Sequence, residues 1–168
     1  MTNEELRTCF DGIRAGDKRA FAAVYHDMKT PVYTVILRIV VSRETAEDVT
    51  QELFIRLWQS PPESSVQNLR AWIFRMARNL AIDERRRTRE TAALEDTELS
   101  DAGRDLDAAL DVERALAALS VEEREVVTLH LNAGLNFREI SEVTVLSLPA
   151  VYRRYRRALK TLEKSLKG

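Results

Sequence analysis

This chain is short of the residues that build most chemical sites. One cysteine, Cys9, in 168 residues excludes an internal disulfide and a Cys-rich zinc site. Two histidines, His26 and His130, leave few candidates for His-based catalysis or metal ligation, and neither stands at a spacing that suggests a catalytic or metal centre. Glycine is scarce, at 5, and no Gly-rich phosphate loop is present. No apolar run approaches the roughly 18 residues of a membrane span. The opening stretch, MTNEELRTCF, carries acids where a signal peptide carries basic residues, and no apolar stretch follows it. No enzyme activity, metal or cofactor is expected, and the expected location is the cytoplasm.

What is present is apolar matter and charge. Hydrophobic residues make up 45% and charged residues 32%, which is enough to fold. The length suits one medium domain or two small ones. The formal net charge of −1 hides strong blocks. Residues 1–67 carry a net −2, residues 68–89 a net +5, and residues 90–125 a net −9. Residues 126–151 then carry a net −1 and residues 152–168 a net +6. Basic segments attract polyanions, whereas the acidic one repels or mimics them. The plain alternative for any one block is a solvated helix face.

Helical periodicity runs through the chain. Leu6, Phe10 and Ile13 share one face, and Gly16 ends that stretch. Asp17 can cap a second helix, with Phe21, Val24, Tyr25 and Met28 on one face. Pro31 should break or kink it. Val32, Val35, Ile36 and Ile39 continue an apolar stripe; the run VILRIVV (35–41) is β-branched enough for a strand, but its spacing favours helix. Residues 43–59 read as a helix with Ala46, Val49, Leu53 and Leu57 inside. SPPESS (60–65) is a loop. Residues 68–87 form a helix with Leu69, Trp72, Ile73, Met76, Leu80 and Ala81 on its apolar side. Periodicity fades from about 88 to 107, a polar, acidic stretch that reads as a linker with room for some helix. A second helical unit starts near Ala108. Ser120 with Glu123, and Asn136 with Glu139, match capping boxes, and Gly134 fits the stop between them. Ser147 can cap a last helix, with Pro149 in its first turn. The expected fold is all-α: two small helical domains, 1–88 and 108–168, joined by an acidic linker, 89–107. The second ends in the order short helix, turn, long basic helix, which is that of a helix-turn-helix.

Three surfaces carry chemistry. In AVYRRYRRALK (150–160), Val151, Tyr155, Ala158, Leu159 and Leu162 can face inward, leaving Tyr152, Arg153, Arg154, Arg156 and Arg157 outside. An arginine fork fits guanine O6 and N7, and arginine or lysine neutralises phosphate. In NLRAWIFRMARNLAIDERRR (68–87), Arg75, Arg78, Asn79, Arg85, Arg86 and Arg87 line the polar side, with Trp72 and Phe74 interleaved. Charge, amide and aromatic ring together suit unstacked single-stranded DNA, although packing in the core is the plainer role for Trp72. Asp48, Gln51 and Glu52, at i, i+3 and i+4, present two carboxylates and an amide on one helical face. They suit a docking surface better than catalysis.

The stretches 21–39, AEDVTQELFIRLW (46–58), 68–87 and 115–143 together resemble an extracytoplasmic-function (group four, sigma-70 family) sigma factor of bacterial RNA polymerase. The resemblance covers nearly the whole chain except the linker. It implies that Asp48, Gln51 and Glu52 dock on the clamp helices of core RNA polymerase. It implies that the 60–67 loop and the start of the next helix, where Trp72 stands, capture a flipped non-template base of the minus-ten element. Arg78, Asn79, Asp83, Arg85, Arg86 and Arg87 match the helix that meets this region, and Arg75 lies on the same polar side. Arg154 and Arg157 match the helix that reads the minus-thirty-five element, with Ser147, Tyr152 and Arg153 beside them. The implied partners are core polymerase, promoter DNA in duplex and melted form, and an anti-sigma factor. Val145 stands where the family usually has a turn glycine, and Pro149-Ala150 where it has Gly-Thr. Tyr152 stands in place of a basic residue, and Arg153 in place of a serine. Two other readings stay open: a sigma mimic that sequesters an anti-sigma factor, and a dimeric helix-turn-helix repressor. In the free chain, the two domains are expected to pack together and hide their basic faces against the acidic linker.

Overall fold

The computed structural model describes residues 1–95 and 111–167. Eight helices occur among them, in the order α1 (Asn3–Arg14), α2 (Lys18–Val40), α3 (Arg43–Gln59), α4 (Leu69–Glu95), α5 (Asp111–Ala117), α6 (Val121–Leu131), α7 (Phe137–Thr144) and α8 (Leu148–Lys167). The described residues contain no strand. The expected acidic linker falls largely outside them.

Local chemistry sets the helix ends. The Thr2 and Glu5 side chains form a capping box at the start of α1. Asp17 caps α2 by accepting from the Arg19 and Ala20 N–H groups, and Ser42 caps α3 by accepting from Thr45 N–H. Both capping boxes expected in the second half are formed, Ser120–Glu123 on α6 and Asn136–Glu139 on α7. Each such cap satisfies N–H groups that the first helical turn leaves unpaired.

Two local readings are sharpened. Of the break or kink expected at Pro31, the break does not occur, since α2 is continuous from Lys18 to Val40. A helix-interior proline costs about 3 kcal/mol. Val24, Met28, Val32, Val35, Ile36 and Ile39 are buried on both sides of it, and at about 1.5–3 kcal/mol each their burial exceeds that cost. In addition, α4 runs on past Arg87 to Glu95.

Helices α1–α4 form one bundle, with α2 packed against α1, α3 and α4; in the second unit, α8 packs against α5, α6 and α7. The two units also pack on each other, through α4 with α7 and α2 with α6. Their cores are not separate. Leu6, Phe10, Leu53 and Phe74 of the first bundle share one continuous buried cluster with Val126, Leu129, Leu135, Ile140 and Val151 of the second. A smaller cluster, Leu116, Leu119, Val127 and Ala158, holds α5 and α8 together.

Candidate nucleic-acid and protein interfaces

The acid-amide face of α3 is where the spacing put it. Asp48 and Gln51 are exposed, and Glu52 is half-buried. The Glu52 carboxylate accepts from Arg56 Nη2 at 2.8 Å. Asp48 and Gln51 line an open groove of about 810 Å³ between α2 and α3. Its walls are aromatic. Phe21 meets Trp58 edge to face at 5.4 Å, and Tyr25 meets Phe54 the same way at 4.9 Å. Lys29 Nζ lies 5.5 Å from the Tyr25 ring centroid. Tyr25 (40% exposed), Ile55 (49%) and Trp58 (36%) present a continuous apolar surface to solvent, which marks a contact surface rather than a core. Of the face expected to hold Phe21, Val24, Tyr25 and Met28, Val24 and Met28 are buried and Tyr25 lies at its exposed margin. Ile55 and Trp58 were missed, although with Gln51 they stand at i, i+4 and i+7 on the same face as the carboxylates.

Helix α4 divides the melted-strand candidates between two faces. Arg75 and Asn79 are exposed, as are Arg86 and Arg87, which pair loosely with Asp83 at 3.2 Å and Glu84 at 3.8 Å. Arg75, Asn79, Ile82 and Arg86 follow one another at helical spacing on the open side. Burial, and then the charge of Arg89, lower the pKa of the Arg85 guanidinium. Phe74 is fully buried, so it is a core residue and not part of an aromatic DNA face. Trp72 is half-buried against the same core.

Arg78 lies on the face turned to the second unit. Its Nε donates to Glu125 of α6, and the two side chains are only 21% and 14% exposed. Two more links cross the same interface. Asn68, which caps α4 by accepting from Ala71 N–H, donates from Nδ2 to Glu139 at 2.8 Å. Arg70 Nη2 donates to the Ala133 carbonyl, beside Gly134, whose φ of +70° closes the α6–α7 turn. Charge patterning cannot reveal such pairs, because their partners are 47 to 71 residues apart.

The loop between α3 and α4 is gripped from below by α1. Arg7 donates from Nη1 to the Ser64 carbonyl at 3.0 Å. Its Nη2 donates to the carbonyls of Val66 at 3.0 Å and Gln67 at 3.1 Å. Arg14, two turns along α1, donates from Nη1 to the Pro62 carbonyl at 2.6 Å.

On α8, Val151 and Ala158 are fully buried, Tyr155 and Leu162 partly so. Leu159 is 44% exposed, which corrects its inward placement: α8 is the outermost helix of a small unit and has a narrow buried stripe. Tyr152, Arg153, Arg156 and Arg157 are exposed, and Arg154 is half-buried. Ser147 caps the helix, its Oγ accepting from Ala150 N–H at 3.3 Å. Tyr152 packs edge to face on Phe137 at 4.7 Å. His130 is a packing residue: its ring stacks on Phe137 at 4.9 Å, and its Nδ1 lies 2.9 Å from the Leu135 carbonyl oxygen. Val145, in the helix-turn-helix turn, has φ +62° and is 76% exposed. The two units do pack together; the acidic linker expected to cover their basic faces lies largely outside the described residues.

Comparison with known proteins adds to this geometry. Residues 24–91 match the family model for Sigma-70 region 2, and residues 109–162 match that for Sigma-70 region 4. The ECF RNA polymerase sigma factor SigK of Mycobacterium tuberculosis is 30% identical over 98% of this chain and 95% of its own length. SigL of the same species is 30% identical over 92% of this chain and 93% of its own length. Two solved structures share the fold. One is CnrH in complex with the cytosolic domain of CnrY, with a TM-score of 0.70, 24% identity and 97% of both chains covered. The other is the sigma factor RpoE in complex with the anti-sigma factor NepR from Bartonella quintana, with a TM-score of 0.68, 23% identity, and 88% and 96% of the two chains covered.

Proposed function

This chain belongs to the extracytoplasmic-function family of sigma-70 factors, and on that footing we propose how its surfaces divide the work of promoter recognition. As an alternative sigma factor it binds core RNA polymerase and promoter DNA and directs transcription initiation. Residues 1–88 hold polymerase and the melted minus-ten strand, 89–107 tether, and 108–168 read the minus-thirty-five duplex. Asp48, Gln51 and Glu52 are the polar part of the polymerase-docking face, with the aromatic groove of Tyr25 and Trp58 as its apolar part. Arg75, Asn79, Arg85, Arg86 and Arg87, with Trp72 and the 60–67 loop, meet minus-ten DNA. Tyr152, Arg153, Arg154 and Arg157, with Ser147 at the helix start, meet the minus-thirty-five element. The protein works in the cytoplasm, without catalysis, and is regulated by an anti-sigma factor, as its structural neighbour RpoE pairs with NepR.

The carrying observation is the groove on α2 and α3. A helix-turn-helix repressor has no use for exposed aromatic residues and carboxylates far from its DNA helix. A sigma mimic has no use for the exposed arginines of α4 and α8.

Geometry adds a step. The two promoter elements lie about 25 base pairs apart, or roughly 85 Å at 3.4 Å per base pair. A compact chain of this length is only about 40 Å across. The packed form therefore cannot read both elements, and the two units must separate on the promoter. The links between Arg78 and Glu125 and between Asn68 and Glu139 must then break. Arg78 becomes available to minus-ten DNA only in the open form.

The test is co-elution with bacterial core RNA polymerase on a size-exclusion column, with an Asp48→Ala/Gln51→Ala/Glu52→Ala variant alongside. Co-elution lost in the variant supports the docking face. Co-elution kept in the variant moves that face elsewhere. A folded chain that never co-elutes overturns the assignment.

A further inference from the structure

We propose that Arg7 of α1 is a positioning residue for base selection, which sets the 60–67 loop in the conformation that captures the minus-ten base. The inference rests on the proposed base-capturing role of that loop.

One guanidinium reaches three backbone carbonyls of a single short segment, those of Ser64, Val66 and Gln67. A guanidinium is a planar fork of donors that cannot be deprotonated. It can donate to several carbonyls at once only where they are arranged to fit it, so all three peptide planes are held together. In a trans peptide the C=O and N–H bonds point in opposite directions. Carbonyls drawn toward Arg7 turn the N–H groups of Ser65, Gln67 and Asn68 away from it, and none of these three donates to another described residue. The loop thus presents a row of outward donors. Its conformation is stiffened elsewhere by a turn in which Val66 N–H donates to the Glu63 carbonyl at 3.0 Å, and by Arg14 on the Pro62 carbonyl. Arg7 and Arg14 stand at i and i+7, on one stripe of α1 beside the buried stripe of Leu6, Phe10 and Ile13. The helix is therefore fixed in the core, and its arginines fix the loop.

Acceptors such as base carbonyl and ring-nitrogen atoms suit a row of N–H donors, and a given row suits some base edges better than others. Arg7 touches no base in this arrangement. It acts on selectivity through the loop backbone.

The experiment uses the polymerase holoenzyme and a fork-shaped promoter DNA whose single-stranded non-template minus-ten segment is randomised. Bound DNA is sequenced for wild type, Arg7→Ala, Arg7→Lys and a loop variant, Ser64→Gly/Ser65→Gly. Both Arg7 variants are expected to lower the ratio of best to worst base at the captured position at least tenfold. Selection at the minus-thirty-five duplex and co-elution with polymerase stay unchanged. Lysine keeps the charge but not the fork, so a lysine variant with wild-type selectivity overturns the proposal in favour of simple electrostatics. Selectivity lost in the loop variant but kept in both Arg7 variants overturns the proposal and leaves the loop's role standing. Selectivity kept in all three variants overturns the loop's role as well.

Discussion

The link between Arg78 and Glu125 offers the sharpest test of the closed form. Both side chains are less than a quarter exposed, and they join α4 to α6. Glu125→Gln keeps the shape and one acceptor oxygen while removing the charge. A unit charge pair is worth about 4 kcal/mol at 4 Å and an effective dielectric of 20, and desolvation cancels part of that. A charge-assisted hydrogen bond contributes about 1.5–3 kcal/mol net, so about 2 kcal/mol of closing energy should be lost. At 1.4 kcal/mol per factor of ten, that moves the closed-to-open ratio by roughly 30-fold. Where the open form is the minor one, apparent affinity scales with its population. Binding of a labelled single-stranded minus-ten oligonucleotide by the free chain should therefore tighten by about 10- to 30-fold. Small-angle scattering should show a larger radius of gyration. Removing any acid also weakens repulsion of DNA, so Glu122→Gln, an exposed neighbour on α6, is the control. Its effect should be small and should fade with salt. Equal affinity for wild type and Glu125→Gln, or equal gains for both variants, would refute the reasoning.

Three further outcomes follow from the geometry. Val145→Gly relieves a β-branched residue held at φ +62°, worth about 1–2 kcal/mol less about 0.5–1 kcal/mol of unfolded-state entropy; the thermal midpoint should rise by about 1–4 °C in scanning calorimetry, and a fall would contradict the strain. Burial pushes the Cys9 thiol pKa up, aided by the carboxylates of Glu5 and Asp17; iodoacetamide should label it more slowly at pH 8 than it labels a free cysteine and faster as pH rises past 9, and fast labelling at pH 7 would count against this. Arg154→Ala or Arg157→Ala should cost about 1–3 kcal/mol on the preferred minus-thirty-five duplex if the arginine forks a guanine, and a similar amount on every sequence if it meets only phosphate; unchanged promoter use by the double variant sinks the assignment.

Local rules carried most of the fold. Capping boxes at Ser120–Glu123 and Asn136–Glu139, the Asp17 cap and the buried stripe of Ala46, Val49, Leu53 and Leu57 were legible because each depends on residues within a turn or two. The failures share a cause as well. Pro31 reads as a break or a kink until the burial around it is known. Phe74 and Leu159 sit at the margins of helical stripes, where spacing alone does not say how wide the buried strip is.

The sequence by itself determined that this chain is helical, that it carries two basic surfaces and an acid-amide face, and which family it resembles. These follow from periodicity, charge order and short motifs, all of them local. Only the tertiary structure decided that Tyr25, Ile55 and Trp58 complete a groove with Asp48 and Gln51. It alone put Arg78 against Glu125 and laid Arg7 beneath the loop at Ser64 to Gln67. Those pairings join residues tens of positions apart, and their partners are chosen by how helices pack, because an arginine's own sequence neighbourhood says that it is charged but not which distant acid or carbonyl will meet it.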